Sequence, residues 1–402
     1  MASSVSLTSS ASSASSASSA SANEQVPDYD IEELREQATP LARRVITGVS
    51  RLDSSILLQY IKTGKFYHVW RVLYSVKRNE HDDIEKVQLL ALRVCRDDAP
   101  IKSYLIRNEV GCLNYIAFNL PHIPAPKVLA WDDGSLGSRP FIAESFIEGQ
   151  LLSTAWPSLN MPQKRDITSE IVNLLISLGE TRFQFIGGLT PDGNPGPLVE
   201  KVRVFKGRQN FYGPENVHIG PYKDMKEYLV ACYNREILYW SRADQNPGSK
   251  SFDPDVVTVL VEKLKDDLFY LSIGAKEDSI QKLEAQPWVL YNEDFNSRNM
   301  LVHNGHLAGI IDWKFSGVYP LSGINNDKII VSDNDSNLRM PIENYLLDLE
   351  SWNEQLLTML KDAVRQRGWS DQEIDALYSE DEELEGIRVA WSPRDLWECD
   401  FV

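Results

Sequence analysis

The pair Asn304-Gly305, set between two runs of alternating apolar residues, constrains the local fold more than any other feature of this chain. A two-residue turn that matches strand twist needs positive φ at both centres, which Asn and Gly tolerate. The stretch Trp288 to Phe315 (WVLYNEDFNSRNMLVHNGHLAGIIDWKF) therefore reads as a buried strand, Trp288 to Tyr291, a polar loop, Asn292 to Arg298, and a hairpin. The hairpin joins Asn299 to His303 with His306 to Ile311. With a two-residue loop His303 faces His306, Asn299 faces Ile310, and Asp312 lies one step beyond. Strand side chains alternate faces, so Asn299 and Asp312 are expected to leave the same face at the same end. Asp294, at the loop's start, is near enough to reach the space beside them.

Two carboxylates and an amide converging on one spot suit phosphoryl transfer. One group orients a hydroxyl nucleophile while others hold magnesium on the donor's phosphates. Taken singly, each of the three is equally an ordinary turn residue that bonds its own backbone. The joint pattern, D-x-x-x-x-N after an apolar strand, then a tight hairpin, then I-I-D-W, is more specific than any member.

This segment resembles the catalytic core of the aminoglycoside phosphotransferase and choline kinase-like family, whose pattern is approximately H-G-D-x-x-x-x-N-I-L-V, a short hairpin, then I-D-W/F-E. The resemblance implies an α+β, two-lobed protein-kinase-like fold, with a small β-rich N-lobe and a larger, mainly helical C-lobe. It implies a catalytic role for Asp294 and a metal-binding role for Asn299 and Asp312, with ATP and Mg2+ as cofactors. It extends upstream to a nucleotide loop at Gly64 to Leu73 (GKFYHVWRVL) and a nucleotide-gripping strand at Val87 to Val94. Arg93 stands there where protein kinases have Lys, and its fork suits phosphate oxygens. Glu109, in a helical run from Ser103 to Asn119, matches the helix Glu that pairs with that basic residue. Two runs, Ile123 to Leu129 and Phe141 to Gly149, resemble the strand pair leading to the lobe connector. The connector, with Glu144 and Phe146, is expected to offer backbone groups to an adenine ring. The chain departs from the family at Asn292-Glu293, where His-Gly is usual, and at Lys314, where Glu often follows I-D-W.

At 402 residues the chain is long enough for two lobes. The expected domains are a disordered Ser/Ala-rich leader over 1–28, an N-terminal helix and N-lobe over 29–149, a helical C-lobe over 150–370 and an acidic tail over 371–402. Further helices are expected at Met161 to Thr181, Tyr222 to Arg242, Asp253 to Ser272 and Glu343 to Arg367, a short strand at Phe183 to Leu189, and a mobile polar segment at Asn325 to Ser336. The four cysteines have neither metal nor redox spacing, which fits a reduced intracellular protein. No basic residue precedes Arg35, so the leader lacks the Arg-rich amphipathic pattern of a mitochondrial presequence, and it has no secretory apolar block. A cytoplasmic location is the expectation. No run of some eighteen apolar residues exists to span a membrane.

The net charge of −17 disfavours nucleic acid as a partner, because phosphate binding needs a basic face. About half of it lies after residue 370, where eleven acidic residues meet two basic ones. The function expected is ATP- and magnesium-dependent phosphorylation of a hydroxyl on a small molecule. The alternative, motivated by Asn292, Glu293 and Lys314, is a catalytically impaired kinase-like protein that binds nucleotide. A protein kinase proper lacks support, since His-Arg-Asp, Asp-Phe-Gly and Ala-Pro-Glu are missing. Neither His-Glu-x-x-His nor Gly-x-Ser-x-Gly is present, so hydrolase chemistry finds no motif. His303 and His306 read as exposed residues flanking the turn. Substrate identity and oligomeric state are not legible in the sequence.

Overall fold

A computed structural model describes residues 29–49, 56–76, 86–98, 101–200, 217–242, 253–323, 329–331 and 342–378. The Ser/Ala leader, residues 201–216 and the acidic tail after Tyr378 lie outside the described residues.

The N-lobe begins with helix α1 (Ile31–Val49), followed by strands β1 (Ile56–Thr63), β2 (Tyr67–Val76) and β3 (Lys86–Cys95), helix α2 (Ser103–Asn119), and strands β4 (Val128–Asp132) and β5 (Phe141–Ser145). The strands form one antiparallel sheet in the order β1-β2-β3-β5-β4. Leu34, Ala38, Ala42 and Val45 recur along one stripe of α1 and pack on Leu58, Trp70, Val72, Leu90, Leu92 and Val94. Period-two alternation in β3 does the rest. Leu90, Leu92 and Val94 face α1, whereas Cys95 joins Leu105, Ile106 and Val110 of α2 on the other side. The sheet is thus covered on both faces, and Arg93 is directed toward α2 rather than solvent.

The C-lobe continues with β6 (Gln150–Leu151), α3 (Leu152–Ala155), α4 (Met161–Gly179), β7 (Gly188–Leu189), β8 (Pro195–Gly196), α5 (Met225–Ser241), α6 (Pro254–Ser272) and α7 (Glu277–Glu284). Then come β9 (Trp288–Asn292), β10 (Met300–His303), β11 (His306–Ile310), β12 (Ser316–Pro320), α8 (Ile342–Gln366) and α9 (Asp371–Tyr378). Strand β9 pairs with β12, and β10 lies between β11 and β6. Helix α4 starts at a capping box in which Asn160 and Gln163 satisfy each other's backbone donors. Its Lys164 reaches Asp348 of α8 at 2.6 Å.

Helix α2 belongs to both lobes. Its first half packs under the sheet, while Cys112, Leu113 and Ile116 enter the C-lobe core. Asn108 fastens it: its Nδ2 donates to Ser316 O at 2.7 Å, and its Oδ1 accepts from Leu189 N at 2.9 Å. One turn on, Gly111 sits so close that an added Cβ would lie 2.3 Å from Leu189 O.

Several expectations change. Within Ile123 to Leu129 only Val128 and Leu129 are strand, because Pro124 and Pro126 have no ladder donor; β4 instead runs on to Asp132. Within Phe183 to Leu189 only β7 is strand, the earlier residues making isolated bridges to Trp288, Tyr222 and Val318. Most of Asn325 to Ser336 lies outside the described residues, but Ile329 and Ile330 are each 1% exposed. Asn353 of α8 holds their backbone at 2.8 to 3.1 Å, so this part of the segment is anchored rather than loose. The stretch after residue 370 opens with α9, whose Ile374, Ala376 and Leu377 are buried in the C-lobe core.

Gly111→Ala is expected to lower stability by about 1–3 kcal/mol through overpacking against backbone that cannot yield. Urea unfolding followed by tryptophan fluorescence reads the change.

Candidate active site

The polar loop is organised by amides. Asn292, fully buried at the end of β9, accepts from Asp294 N at 3.0 Å and donates through Nδ2 to Asp312 O at 3.2 Å. It therefore ties the backbones of both acidic residues together. Asn296 Nδ2 donates to Asp294 Oδ1 at 3.1 Å, and Asn299 Nδ2 to Asp294 Oδ2 at 3.0 Å. Both amides also bond Asp294 O. Below them Ser297 anchors the loop through Ile329 O and Val331 O, at 2.8 and 3.0 Å. The Asp294 carboxylate is half-buried and fixed from two sides.

The hairpin turns where expected, with φ of 53° at Asn304 and 81° at Gly305, and His303 pairs with His306. The register then departs from the expected one. A bulge between Leu301 and Val302 pairs Met300 with Ile310, so that Ile311 N bonds Asn299 O at 2.8 Å. The connector presses on this point, since an added Cβ on Gly309 would meet Ile147 Cδ1 at 2.6 Å. Simple alternation therefore does not place Asp312. Its own backbone does, at φ 64°, a conformation that costs a non-glycine residue about 1–3 kcal/mol. Strain of that kind gathers at functional sites.

Asp312 meets two cations. Lys314 Nζ donates to its Oδ1 at 2.6 Å and its Oδ2 at 2.5 Å, and Arg93 Nη2 lies 3.9 Å from Oδ1. Burial alone would raise the Asp312 pKa, but Lys314, Arg93 and the more distant Lys62 override it and hold the group below the ordinary carboxylate range. Arg93 itself forks onto Glu109 at 2.6 and 3.2 Å, lies 3.6 Å from Glu144, and has its guanidinium carbon 4.3 Å from the Tyr67 ring centre. Burial pushes Glu144 up to about 7, with the Glu109 charge adding to the rise and Arg93 opposing it. Among the described residues Glu144 Oε2 finds no hydrogen-bond partner.

The sequence-predicted residues thus fall into two groups linked through Asp312. Asp294 and Asn299 bond directly, while Arg93, Glu109 and Glu144 meet below the sheet. Gly64 closes the β1–β2 turn by donating to Tyr67 O at 2.8 Å, and its carbonyl is held by Arg96 Nη1 at 2.9 Å. Phe146 is half-buried beneath Arg71, whose guanidinium carbon is 5.0 Å from its ring centre. Sequence reasoning missed Asn296 and Tyr67. Tyr67 shares the inward parity of Cys95, its register partner on β3, and that pairing was the available signal.

Asn299 and Asp312 supply the oxygen donors magnesium prefers. As arranged they do not fit a resident ion, because an ammonium takes both Asp312 oxygens; Asn299, which donates through its nitrogen to Asp294, keeps its Oδ1 as an oxygen donor. Among the described residues no group of three or more His, Cys, Asp or Glu side chains is placed to hold a metal.

A strand-rich lobe with a buried Arg-Glu pair beneath its sheet, a helical lobe, and an amide-braced aspartate loop beside a hairpin define a protein-kinase-like fold. The chain belongs to the phosphotransferase enzyme family, whose match covers residues 85–322. A curated relative is altered inheritance of mitochondria protein 9, mitochondrial, from Kluyveromyces lactis. It is 23% identical over 357 residues, covering 77% of this chain and 56% of that protein. The chain thus spans about half the length of the relative. Solved structures similar to it include a thermostable mutant of aminoglycoside phosphotransferase APH(4)-Ia in ternary complex with AMP-PNP and hygromycin B, at 14% identity over 90% of this chain and 98% of that one, with a TM-score of 0.46. Another is ADP-bound aminoglycoside phosphotransferase APH(2'')-Ib, at 13% identity, 93% and 100% coverage and a TM-score of 0.43.

The expected cytoplasmic location is corrected by the relative, whose name assigns it to mitochondria. That expectation rested on what the leader lacks, and a missing Arg-rich pattern does not identify a compartment. Among the described residues no helix is long and apolar enough to cross a membrane.

A carboxyl whose pKa is raised on folding contributes stability that is present below its unfolded pKa and lost as pH rises through its folded value. For Glu144 the window runs from the ordinary 4.5 up to about 7. Glu144→Gln is expected to remove the stability loss across that window, read from urea midpoints at closely spaced pH values.

Proposed function

We propose that the protein transfers the γ-phosphoryl group of ATP, which enters with magnesium on its phosphates, to a hydroxyl of a small molecule. The observation that carries this reading is the Asp294 carboxylate, gripped by Asn296 and Asn299 and tied through Asn292 to Asp312. A hydroxyl beside Asp294 finds an acceptor whose position is already fixed. The substrate oxygen attacks the γ-phosphorus, the bond to the β-bridging oxygen breaks, ADP leaves, and the hydroxyl proton passes to Asp294. Most of the acceleration in such a reaction is positioning and electrostatics. Arg93, held by Glu109 and facing Asp312, supplies positive charge on the nucleotide side, and the turn at Gly64 and the connector at Glu144 to Phe146 bound the nucleotide's space.

A second reading has its own observation. With Lys314 on both oxygens of Asp312, the protein binds nucleotide without transferring phosphate. An ATP-dependent phosphorylation screen over a hydroxylated metabolite library separates the two. Under the first reading a phosphorylated product accumulates, and Asp294→Asn lowers its rate by about 10²–10⁴-fold while nucleotide affinity stays unchanged. A variant with wild-type turnover excludes Asp294 as the acceptor. No product with any library member, alongside intact ATP binding, selects the second reading.

A further inference from the structure

The disagreement between the donor set and a resident magnesium has a specific cause in this chain. We propose that the Lys314 ammonium is the built-in cation of the Asp312 carboxylate and stands in the place of a divalent ion there. The inference rests on the phosphotransferase reading only in taking this cleft as the place where a triphosphate lies.

The ammonium has three donors, and two are spent on the two oxygens of Asp312 at 2.6 and 2.5 Å. Its other surroundings are aromatic. The Phe315 ring centre lies 4.8 Å from Nζ and the Phe66 ring centre 5.4 Å away. Those rings accept positive charge on their faces but give no hydrogen bond as strong as a carboxylate's. Lys314 is only 8% exposed, so its charge has left water and depends on Asp312 for compensation. An ion taking the Asp312 oxygens would leave an ammonium enclosed between two phenyl rings. Magnesium is held in such sites by one or two carboxylates with waters and phosphates, so the Asp312 carboxylate, already spent on Lys314, is the ligand it would most need here.

The position of Phe66 adds to the case. It belongs to the β1–β2 turn, yet it is buried against Phe315 of the segment that carries Asp312. The nucleotide turn is thus packed down onto the lysine, with Arg96 holding its carbonyls at Gly64 and Lys65. Lys314 is part of a built contact between the lobes, not a surface residue that has folded back. Arg93, 3.9 Å from the same carboxylate, supplies a second fixed charge. Phosphates arriving here meet two cations covalently attached to the chain.

The test uses Mn2+ alone as the probe, by electron paramagnetic resonance on the full chain without nucleotide. Wild type and Lys314→Met are compared with Lys314→Glu, which restores the acidic residue common in the family, and with Lys314→Glu combined with Asp312→Asn. The expected result is no stoichiometric Mn2+ on wild type, one ion on Lys314→Glu, and its loss in the double variant. One ion on wild type that disappears in Asp312→Asn overturns the proposal, as does the failure of a folded Lys314→Glu to gain an ion. Thermal unfolding establishes which variants fold. Should Lys314→Glu not fold, ATP affinity decides. Wild type is expected to bind ATP in EDTA within about threefold of its affinity in magnesium, and Lys314→Met to lose about tenfold or more in EDTA. A wild-type requirement for magnesium, or no ATP binding by wild type, overturns the proposal in that case. With a folded Lys314→Glu, absent ATP binding defeats the phosphotransferase reading alone, because the Mn2+ titration is read without nucleotide.

Discussion

The ion pair between Arg93 and Glu109 is the interaction on which the arrangement of the two lobes depends. Glu109 is fully buried and Arg93 is 7% exposed, so both charges have been taken from water. Desolvation of that size is repaid only by close, multiply bonded geometry, and the bidentate fork at 2.6 and 3.2 Å provides it. The geometry requires α2 at one fixed depth beneath the sheet. Asn108 and Gly111, on the same helix, fix it from the other side by bonding and abutting the C-lobe backbone. One helix thereby carries the constraint from β3 to β12, the strand that follows Asp312 and Lys314.

What the sequence made legible is what local chemistry decides. Asn304-Gly305 announces its turn because few residue pairs tolerate two positive φ values. The span of α2 from Ser103 to Asn119, and the pairing of Arg93 with Glu109, follow from periodicity and from the family pattern. The bulge in β10 and β11 does not follow, because it lies beside Gly309, which is packed against Ile147 from a segment far earlier in the chain, a contact no local pattern reports. The left-handed backbone of Asp312 is hidden for the same reason. Ile329 and Ile330 sit in a polar stretch, and only the amide of Asn353, on a distant helix, reveals that they are buried.

The departures from the family pattern at the aspartate loop illustrate how one bracing role can pass to another residue type. Where His-Gly is usual, Asn292 places its donor on Asp312 O and its acceptor on Asp294 N. A side-chain amide has both functions in one plane and has no protonation state to lose. The link between the two aspartates therefore persists across pH, unlike the same link made by an imidazole. Glu293, beside it, is half-buried, and its backbone N donates to Phe315 O at 3.0 Å. That bond continues the pairing of β9 with β12 past Asn292 and so fixes the spacing between the loop and the lysine-bearing segment.

Lys314 and the strain at Asp312 are then two aspects of one geometry. A positive φ at Asp312 turns the chain where the Asp312 and Lys314 side chains meet. In the left-handed turn Asp312 lies between Arg93 on one side and Lys314 on the other. The two attractions offset the backbone cost. They also explain why a half-buried carboxylate beside Glu109 and Glu144 remains ionised, since without the lysine three acidic groups would share one guanidinium. Trp313, between them, is fully buried in the C-lobe core and bonds Ile310 O at 2.8 Å, which prevents the turn from relaxing.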